Sequence, residues 1–367
     1  MTPLEARLRA DIATNGPIPV PRYMELCLTD PAHGYYMRGD PIGAGGDFVT
    51  APEVSQMFGE IIGAWLMTMF FAMGSHPGTR LVELGPGRGT LMADILRVFA
   101  LREDATSALE VVMVEASPAL REKQAASLAS WPGRKTWIGR LEDLPPGPML
   151  LVGNEFLDAL PIRQFVKMET GLHERGIGLG SDDALAFLPL SPIVHPDEIV
   201  TPPLNHGDIF ERGEAACAAV RNIARRLGNR PGYALFIDYG YDAPGAGDTL
   251  QAVHDHKTTD PLSEPGLNDL TSHVCFGALR EAARMMGAEA LGPMSQAAFL
   301  SQLGISLRAD ALIKDAPTGR RAGIEADLAR LVSPDQMGAL FKAMTIWSPG
   351  LPVPPPFQET STMGAGT

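Results

Sequence analysis

The stretch at residues 81–96, LVELGPGRGTLMADIL, constrains this chain more than any other part of it. A hydrophobic run ends in Glu83 and Leu84, glycines stand at 85, 87 and 89, and a helical pattern starts at Thr90. A glycine-rich turn between strand and helix brings bare backbone up to a nucleotide. Three further runs, at 109–115 (LEVVMVE), 148–156 (PMLLVGNEF) and 233–240 (YALFIDYG), are rich in Val, Leu and Ile without polar alternation. Strands buried on both faces of a parallel sheet have this pattern. Helices are predicted over 90–99 and 118–130, the second opened by Ser117 as N-cap with Pro118 in its first turn. The alternation predicts a doubly wound, Rossmann-like α/β fold.

The rest of the chain divides around that core. Residues 1–75 read as a helical and loop-rich segment covering the ligand site, 76–165 and 230–350 as the core with helical insertions, 166–229 as inserted strands and a helix, and 351–367 as a tail. One long helix is expected over 54–73, short antiparallel strands over 164–205, a helix over 209–228, mostly helix over 275–345 and a last strand within 342–350. The connection after Gly240 is long and rich in glycine and charge, and reads as a functional loop or lid.

Net charge is −13, so no basic face for nucleic acid or an anionic membrane is expected, although a basic patch of a partner protein suits such a surface. No apolar run reaches the ~18 residues of a membrane span, which predicts no membrane insertion. Cys27, Cys217 and Cys275 are far apart, no CxxC occurs, and the first twenty residues lack a signal-peptide core. These features predict free thiols and a bacterial cytoplasmic protein.

Three ligand classes compete for the turn GPGRGT at 85–90. A P-loop needs a lysine there, and none is present. A dinucleotide turn needs a third glycine where Thr90 stands, and it sets a pyrophosphate beside the Glu83 carboxylate, like charge against like. S-adenosyl-L-methionine carries no phosphate. Glu83 then receives its cationic side, Gly85, Gly87 and Gly89 admit it to the backbone, and the helix N-terminus takes its carboxylate. Glu115, at the end of the second strand, accepts the ribose hydroxyls. The segment 139–147 (GRLEDLPPG) covers the adenine, with Leu141 on the ring and Glu142 or Asp143 accepting from its amino group; a solvated acidic turn is the competing reading. A nicotinamide or flavin cofactor, or a turn without a ligand, are the alternatives.

Five segments together resemble the MidA-like proteins, relatives of the mitochondrial complex I assembly factor that methylates an arginine. They are 30–60 (DPAHGYYMRGDPIGAGGDFVTAPEVSQMFGE), 82–96, 154–165 (NEFLDALPIRQF), 236–241 (FIDYGY) and 260–276 (DPLSEPGLNDLTSHVCF). Two places depart from the pattern: LQAVHDH after Thr249, and Cys275, where an acidic residue is usual. The resemblance implies a class I methyltransferase fold with an N-terminal segment and an inserted, mainly helical subdomain, and S-adenosyl-L-methionine as cofactor. It also implies methylation of a protein arginine, with a subunit of respiratory NADH dehydrogenase as acceptor.

Methyl transfer from a sulfonium is an in-line displacement governed by positioning. A guanidinium is cationic, with a pKa above ~12, so an enzyme must orient it with carboxylates and give its proton a way out. The segment NEFLDALP supplies such groups, with Asn154 and Glu155 at the end of the third strand and Asp158 in the following turn. Glu155 and Asp158 form a fork for a guanidinium, or Asn154 instead accepts from an amine or hydroxyl acceptor; the competing reading is that Asp158 caps a turn and Asn154 satisfies backbone. The loop 46–53 (GDFVTAPE) brings Asp47, Thr50 and Glu53 over the cofactor, or Thr50 caps the next helix. Tyr239, beside Asp238, either walls the acceptor pocket or is a plain buried tyrosine. His254 and His256 lack further ligands at metal spacing, so no metal site is expected. His273 is a base or a core histidine. Two other functions compete with protein methylation: a small-molecule methyltransferase, and a non-catalytic assembly chaperone that binds the cofactor.

Overall fold

A computed structural model describes residues 1–38, 50–193, 201–254 and 257–358. Its centre is a sheet built from β1 (Thr79–Leu84), β2 (Leu109–Val114), β3 (Lys135–Ile138), β4 (Met149–Asn154), β5 (Gly232–Tyr241), β6 (Glu289–Ser295) and β7 (Phe341–Trp347). The strands lie in the order β3-β2-β1-β4-β5-β7-β6, and the two-residue strand Val274–Cys275 adds to the end of β5. β1 to β5 run parallel, while β7 is antiparallel to both its neighbours.

Successive side chains serve opposite faces. Leu81 and Val111 join one apolar cluster, with α1 (Gln56–Ala72), α2 (Thr90–Phe99) and the helices that follow β6. Val82 and Val112 join the other, with α4 (Glu214–Leu227) and α5 (Phe276–Met285); α3 (Pro118–Ser127) follows β2. This two-sided burial is why the strands lack polar alternation. From β1 the chain steps outward to β2 and β3, then returns to β4 on the other side of β1. Such a switch opens a crevice at the carboxyl ends of the strands.

Two additions flank that edge. Arg163–Met168, Gly171–Leu179, Leu185–Pro192 and Ile209–Arg212 form an antiparallel sheet, and Ile18–Pro19 pairs with its second strand. Gln251–His254, Lys257–Thr259 and Asp269–Thr271 form a second sheet. Leu4, Leu8, Tyr23 and Met24 of the N-terminal helices pack with Ile177, Ala252 and Leu270 of these sheets in a third cluster.

Four local expectations are corrected. The helix predicted over 54–73 breaks at Ser55, which is extended and accepts from the Met57 N–H as N-cap of α1. The helix predicted over 118–130 ends at Ser127. The helix predicted over 209–228 begins at Glu214, because Ile209–Arg212 pairs with Arg163–Met168. The connection after Gly240 holds a three-stranded sheet whose Ala252 and Leu270 are buried.

Candidate active site

β1 ends at a turn in which Gly85, Gly87 and Gly89 all have left-handed φ, at +58°, +52° and +82°. A Cβ on Gly85 would lie 3.0 Å from the Phe156 ring. One on Gly89 would lie 3.3 Å from the Gln124 Cα, so glycine is needed both for conformation and for close approach. Gln124 of α3, wholly buried, ties this turn to β2. Its Nε2 donates to the Gly87 carbonyl at 2.8 Å and to Glu115 Oε2 at 3.0 Å, and its Oε1 accepts from Trp137 Nε1 at 2.9 Å. Ser117 N–H donates to Glu115 Oε1 at 2.8 Å, and Arg121 grips the Glu115 carbonyl. Glu115 is thus held at the end of β2 with acceptor capacity left over, since a carboxylate has about four lone-pair sites.

These groups open onto a cavity of about 300 Å³, lined by Gly85, Gly87, Glu115, Leu141, Glu155 and Asp158 among others. Leu141 is buried on a 3₁₀ turn with Leu144, and that turn directs Glu142 and Asp143 outward to solvent. Glu142 pairs with Arg140 at 3.3 Å. The expectation that Glu142 or Asp143 receives an adenine amino group is therefore corrected: neither is on the cavity wall. Glu83 is buried too, but on a smaller adjoining cleft that shares Gly85, Gly87 and Glu155 with the cavity. Burial raises its carboxyl well above the usual range, and the Met92 N–H opposes this. Thr50 lines both spaces and stands at the N-cap of Ala51–Val54 without a side-chain capping bond. Glu53 accepts from the Thr90 hydroxyl. Asp47 and His256 lie outside the described residues.

Carboxylates concentrate at the end of β4. Glu155 is held at φ +50°, a region costly for a side-chain-bearing residue and common at working sites. Its Oε1 accepts from Asn154 Nδ2 at 3.0 Å and from Ala51 N–H at 3.2 Å. Burial and the nearby Asp158 charge raise its carboxyl to about 7. Burial raises Asp158 to about 6, against the hydroxyl that Tyr239 donates. Asp238 accepts from the N–H groups of Leu157, Asp158 and Tyr239, so it braces the turn from beneath. Burial, followed by the charges of Asp158 and Glu155, pushes its carboxyl well up. Three acids this close titrate together.

Tyr239 stands behind Asp158, 5 % exposed, with its ring edge-on to Phe341 and His273, and it is not on the cavity wall. This corrects the reading of Tyr239 as a pocket wall. Two wall residues escaped the sequence reading: Tyr36, whose hydroxyl donates to Asp269 Oδ1 at 2.8 Å, and Asp269 itself. They lie 233 positions apart, and the only signal was that each falls in a segment carrying the family resemblance.

Among the described residues the cavity is lined by four carboxylates, Glu115, Glu155, Asp158 and Asp269, and one guanidinium, Arg140. A phosphate is repelled by such a wall and a cation is drawn to it. Glu83 Oε2, Asn154 Oδ1 and Asp158 Oδ1 are buried without a hydrogen-bond partner among these residues. Buried polar atoms of this kind call for a ligand or water. An apolar Leu141, a carboxylate at Glu115 and a cation-seeking end together fit S-adenosyl-L-methionine. No group of three or more metal-ligating side chains is assembled among the described residues.

A family model described as "Putative S-adenosyl-L-methionine-dependent methyltransferase" matches residues 61–294. The chain is 36 % identical over 367 residues to the mitochondrial protein arginine methyltransferase NDUFAF7 of Mus musculus, covering 93 % of this chain and 83 % of that one. It is 34 % identical over 371 residues to the Danio rerio protein of the same name, covering 92 % and 85 %. A crystal structure from Burkholderia thailandensis, described as a "likely methyl transferase" bound to S-adenosyl-homocysteine, superposes with a TM-score of 0.83 at 33 % identity, covering 95 % of this chain and 92 % of that one. The expected bacterial cytoplasmic location is corrected by these relatives, which are mitochondrial by name. Three scattered cysteines and the character of the first twenty residues do not decide a compartment. Among the described residues no helix is long and apolar enough to cross a membrane.

Proposed function

This chain belongs to the family of S-adenosyl-L-methionine-dependent methyltransferases, and from that premise we propose that its acceptor is the guanidine of a protein arginine, in a subunit of respiratory NADH dehydrogenase. The observation that carries the reading is the acidic end of the cavity, where Glu155 and Asp158 lie side by side and Asp158 Oδ1 has no partner among the described residues. A guanidinium answers both the charge and the missing donor. The arginine methyltransferase names of the relatives support the same acceptor.

The cofactor supplies a methyl group on a cationic sulfur, which leaves as a neutral thioether. Glu115 accepts its ribose hydroxyls, Leu141 packs on its base, and the glycine turn brings backbone N–H groups against its amino-acid end, with Glu83 near the positive charge. Thr50 closes the side toward Ala51–Val54. Asp158 holds the guanidinium by charge-assisted hydrogen bonds, and Asn154, which lines the adjoining cleft with Glu83, steadies Glu155 through its Nδ2. Glu155, poised near neutral pH, takes the proton that the attacking nitrogen loses. Asp238 and Tyr239 act from behind, fixing the turn that carries Asp158.

The reading is tested by incubating the purified chain and labelled S-adenosyl-L-methionine with mitochondrial or bacterial membranes from a strain lacking the gene, then locating the label by mass spectrometry. Label on arginine in a complex I subunit is expected. Label on a small molecule, or none, would overturn it.

A further inference from the structure

The cavity holds a carboxylate that the pair Glu155 and Asp158 leaves out. Asp269 lies on its wall, 7 % exposed, on the strand Asp269–Thr271, and Thr271, on the same face two residues later, lines it too. Tyr36, also on the wall, fixes Asp269 Oδ1 with its hydroxyl at 2.8 Å. Asp158 is held by a tyrosine too: Tyr239 fixes its Oδ2 at 2.5 Å, and its Oδ1 is buried without a partner among the described residues. The two acids sit on adjoining segments, since the Ser272 N–H donates to the Asp158 carbonyl at 3.0 Å. The Tyr36 hydroxyl feels the charge of both.

We propose that Asp269 and Asp158 are the two arms of a guanidinium receptor, and that Tyr36 and Tyr239 fix the arms so that the site selects arginine over lysine. The inference rests on arginine being the acceptor. A guanidinium is flat, weakly hydrated and carries five N–H donors in a fixed fork, so it meets two carboxylates held in set directions at once. An ammonium is a compact, strongly hydrated charge whose donors spread from one point. Its donors do not span two carboxylates held in set directions, so it gains one arm where a guanidinium gains both. With two carboxylates for binding, Glu155 is left for the proton. The donor end of the cavity comes from the core strands, whereas Tyr36 and Asp269 come from the N-terminal segment and the three-stranded sheet. Acceptor choice is therefore shared between the core, which supplies Asp158 and Tyr239, and the parts added to it, which supply Asp269 and Tyr36.

Calorimetry on the full chain saturated with S-adenosyl-homocysteine tests this, with acetyl-arginine amide and acetyl-lysine amide as probes. Wild type is expected to bind the arginine probe roughly tenfold more tightly than the lysine probe. Asp269→Asn is expected to lose about tenfold of the arginine affinity and bring the ratio near one, on the scale of a charged hydrogen bond. Tyr36→Phe, which removes a single oxygen, is expected to lower the ratio by about threefold on the scale of one net hydrogen bond. Affinity for S-adenosyl-homocysteine stays within about twofold in both, the spread expected of a site left uncoupled. A purely structural Tyr36 leaves the arginine-to-lysine ratio unmoved and would overturn its part. Arginine affinity intact in Asp269→Asn, or a loss of S-adenosyl-homocysteine affinity there, overturns the receptor and leaves arginine as acceptor standing. A wild-type chain that does not bind the arginine probe overturns both.

Discussion

Tyr239 donates its hydroxyl to Asp158 Oδ2 at 2.5 Å and so joins the end of β5 to the turn after β4. The bond counteracts burial, which holds the Asp158 carboxyl near 6. Tyr239→Phe removes the donor, and the carboxyl rises further. Methyl transfer at pH 7 is expected to fall by about tenfold, in line with ~1.5–3 kcal/mol for a hydrogen bond to a charged group, and to recover as the pH is raised. A pH–rate profile checks this; a variant profile of unchanged shape and lower height would mean that Tyr239 acts by packing alone.

Glu155 lies near 7 in the folded chain against an ordinary 4.5. A carboxyl raised by folding contributes stability that is full below its unfolded value and lost as pH climbs through its folded one. Glu155→Gln cannot ionise. It is expected to match wild type near pH 4 and to be more stable by about 3 kcal/mol at pH 8, since a tenfold change in a proton-binding constant is worth ~1.4 kcal/mol. Methyl transfer is expected to be abolished in the same variant. Urea unfolding at the two pH values measures the difference, and a constant offset would refute the assignment.

Glu115 keeps acceptor capacity toward the cavity beyond its bonds to Ser117 and Gln124. Glu115→Ala is expected to weaken S-adenosyl-L-methionine binding about a hundredfold by calorimetry, the loss of two charge-assisted hydrogen bonds at ~1.5 kcal/mol each. Binding within threefold of wild type would remove Glu115 from the cofactor site.

Gln124→Met keeps the volume but strands the Gly87 carbonyl, Glu115 Oε2 and Trp137 Nε1. Unmade buried bonds cost about 1–3 kcal/mol each where nothing replaces them. Denaturant melts are expected to show a loss of at least about 3 kcal/mol, with cofactor affinity down roughly tenfold through the loosened turn. Reduced stability with unchanged affinity would separate Gln124 from the site.

Most of the core was legible because its signals are local. In β1, β2, β4 and β5 successive residues face two apolar layers, so Val, Leu and Ile stand in unbroken runs. The break at Ser55 is not legible because apolar spacing continues across it, although a serine hydroxyl is enough to start a new helix. The strand Ile209–Arg212 reads as helix because Ile209 and Phe210 extend the apolar pattern of α4; pairing with Arg163–Met168 overrides it. The three strands after Gly240 span three or four residues each, too few to show a period.

By itself the sequence determined the parallel core, the left-handed glycine turn, and the acids at the strand ends: Glu83, Glu115 and Glu155. Strand period and turn stereochemistry are properties of neighbouring residues, and a parallel strand must deliver its last side chain to the carboxyl edge. Only the tertiary structure decided which acids share a cavity. It directed Glu142 to solvent by burying Leu141 and Leu144, and set Tyr239 behind Asp158. It also brought Tyr36 onto Asp269 by packing the N-terminal helices against the added sheets. That last pairing rests on contacts between segments more than two hundred residues apart, where no local preference reaches.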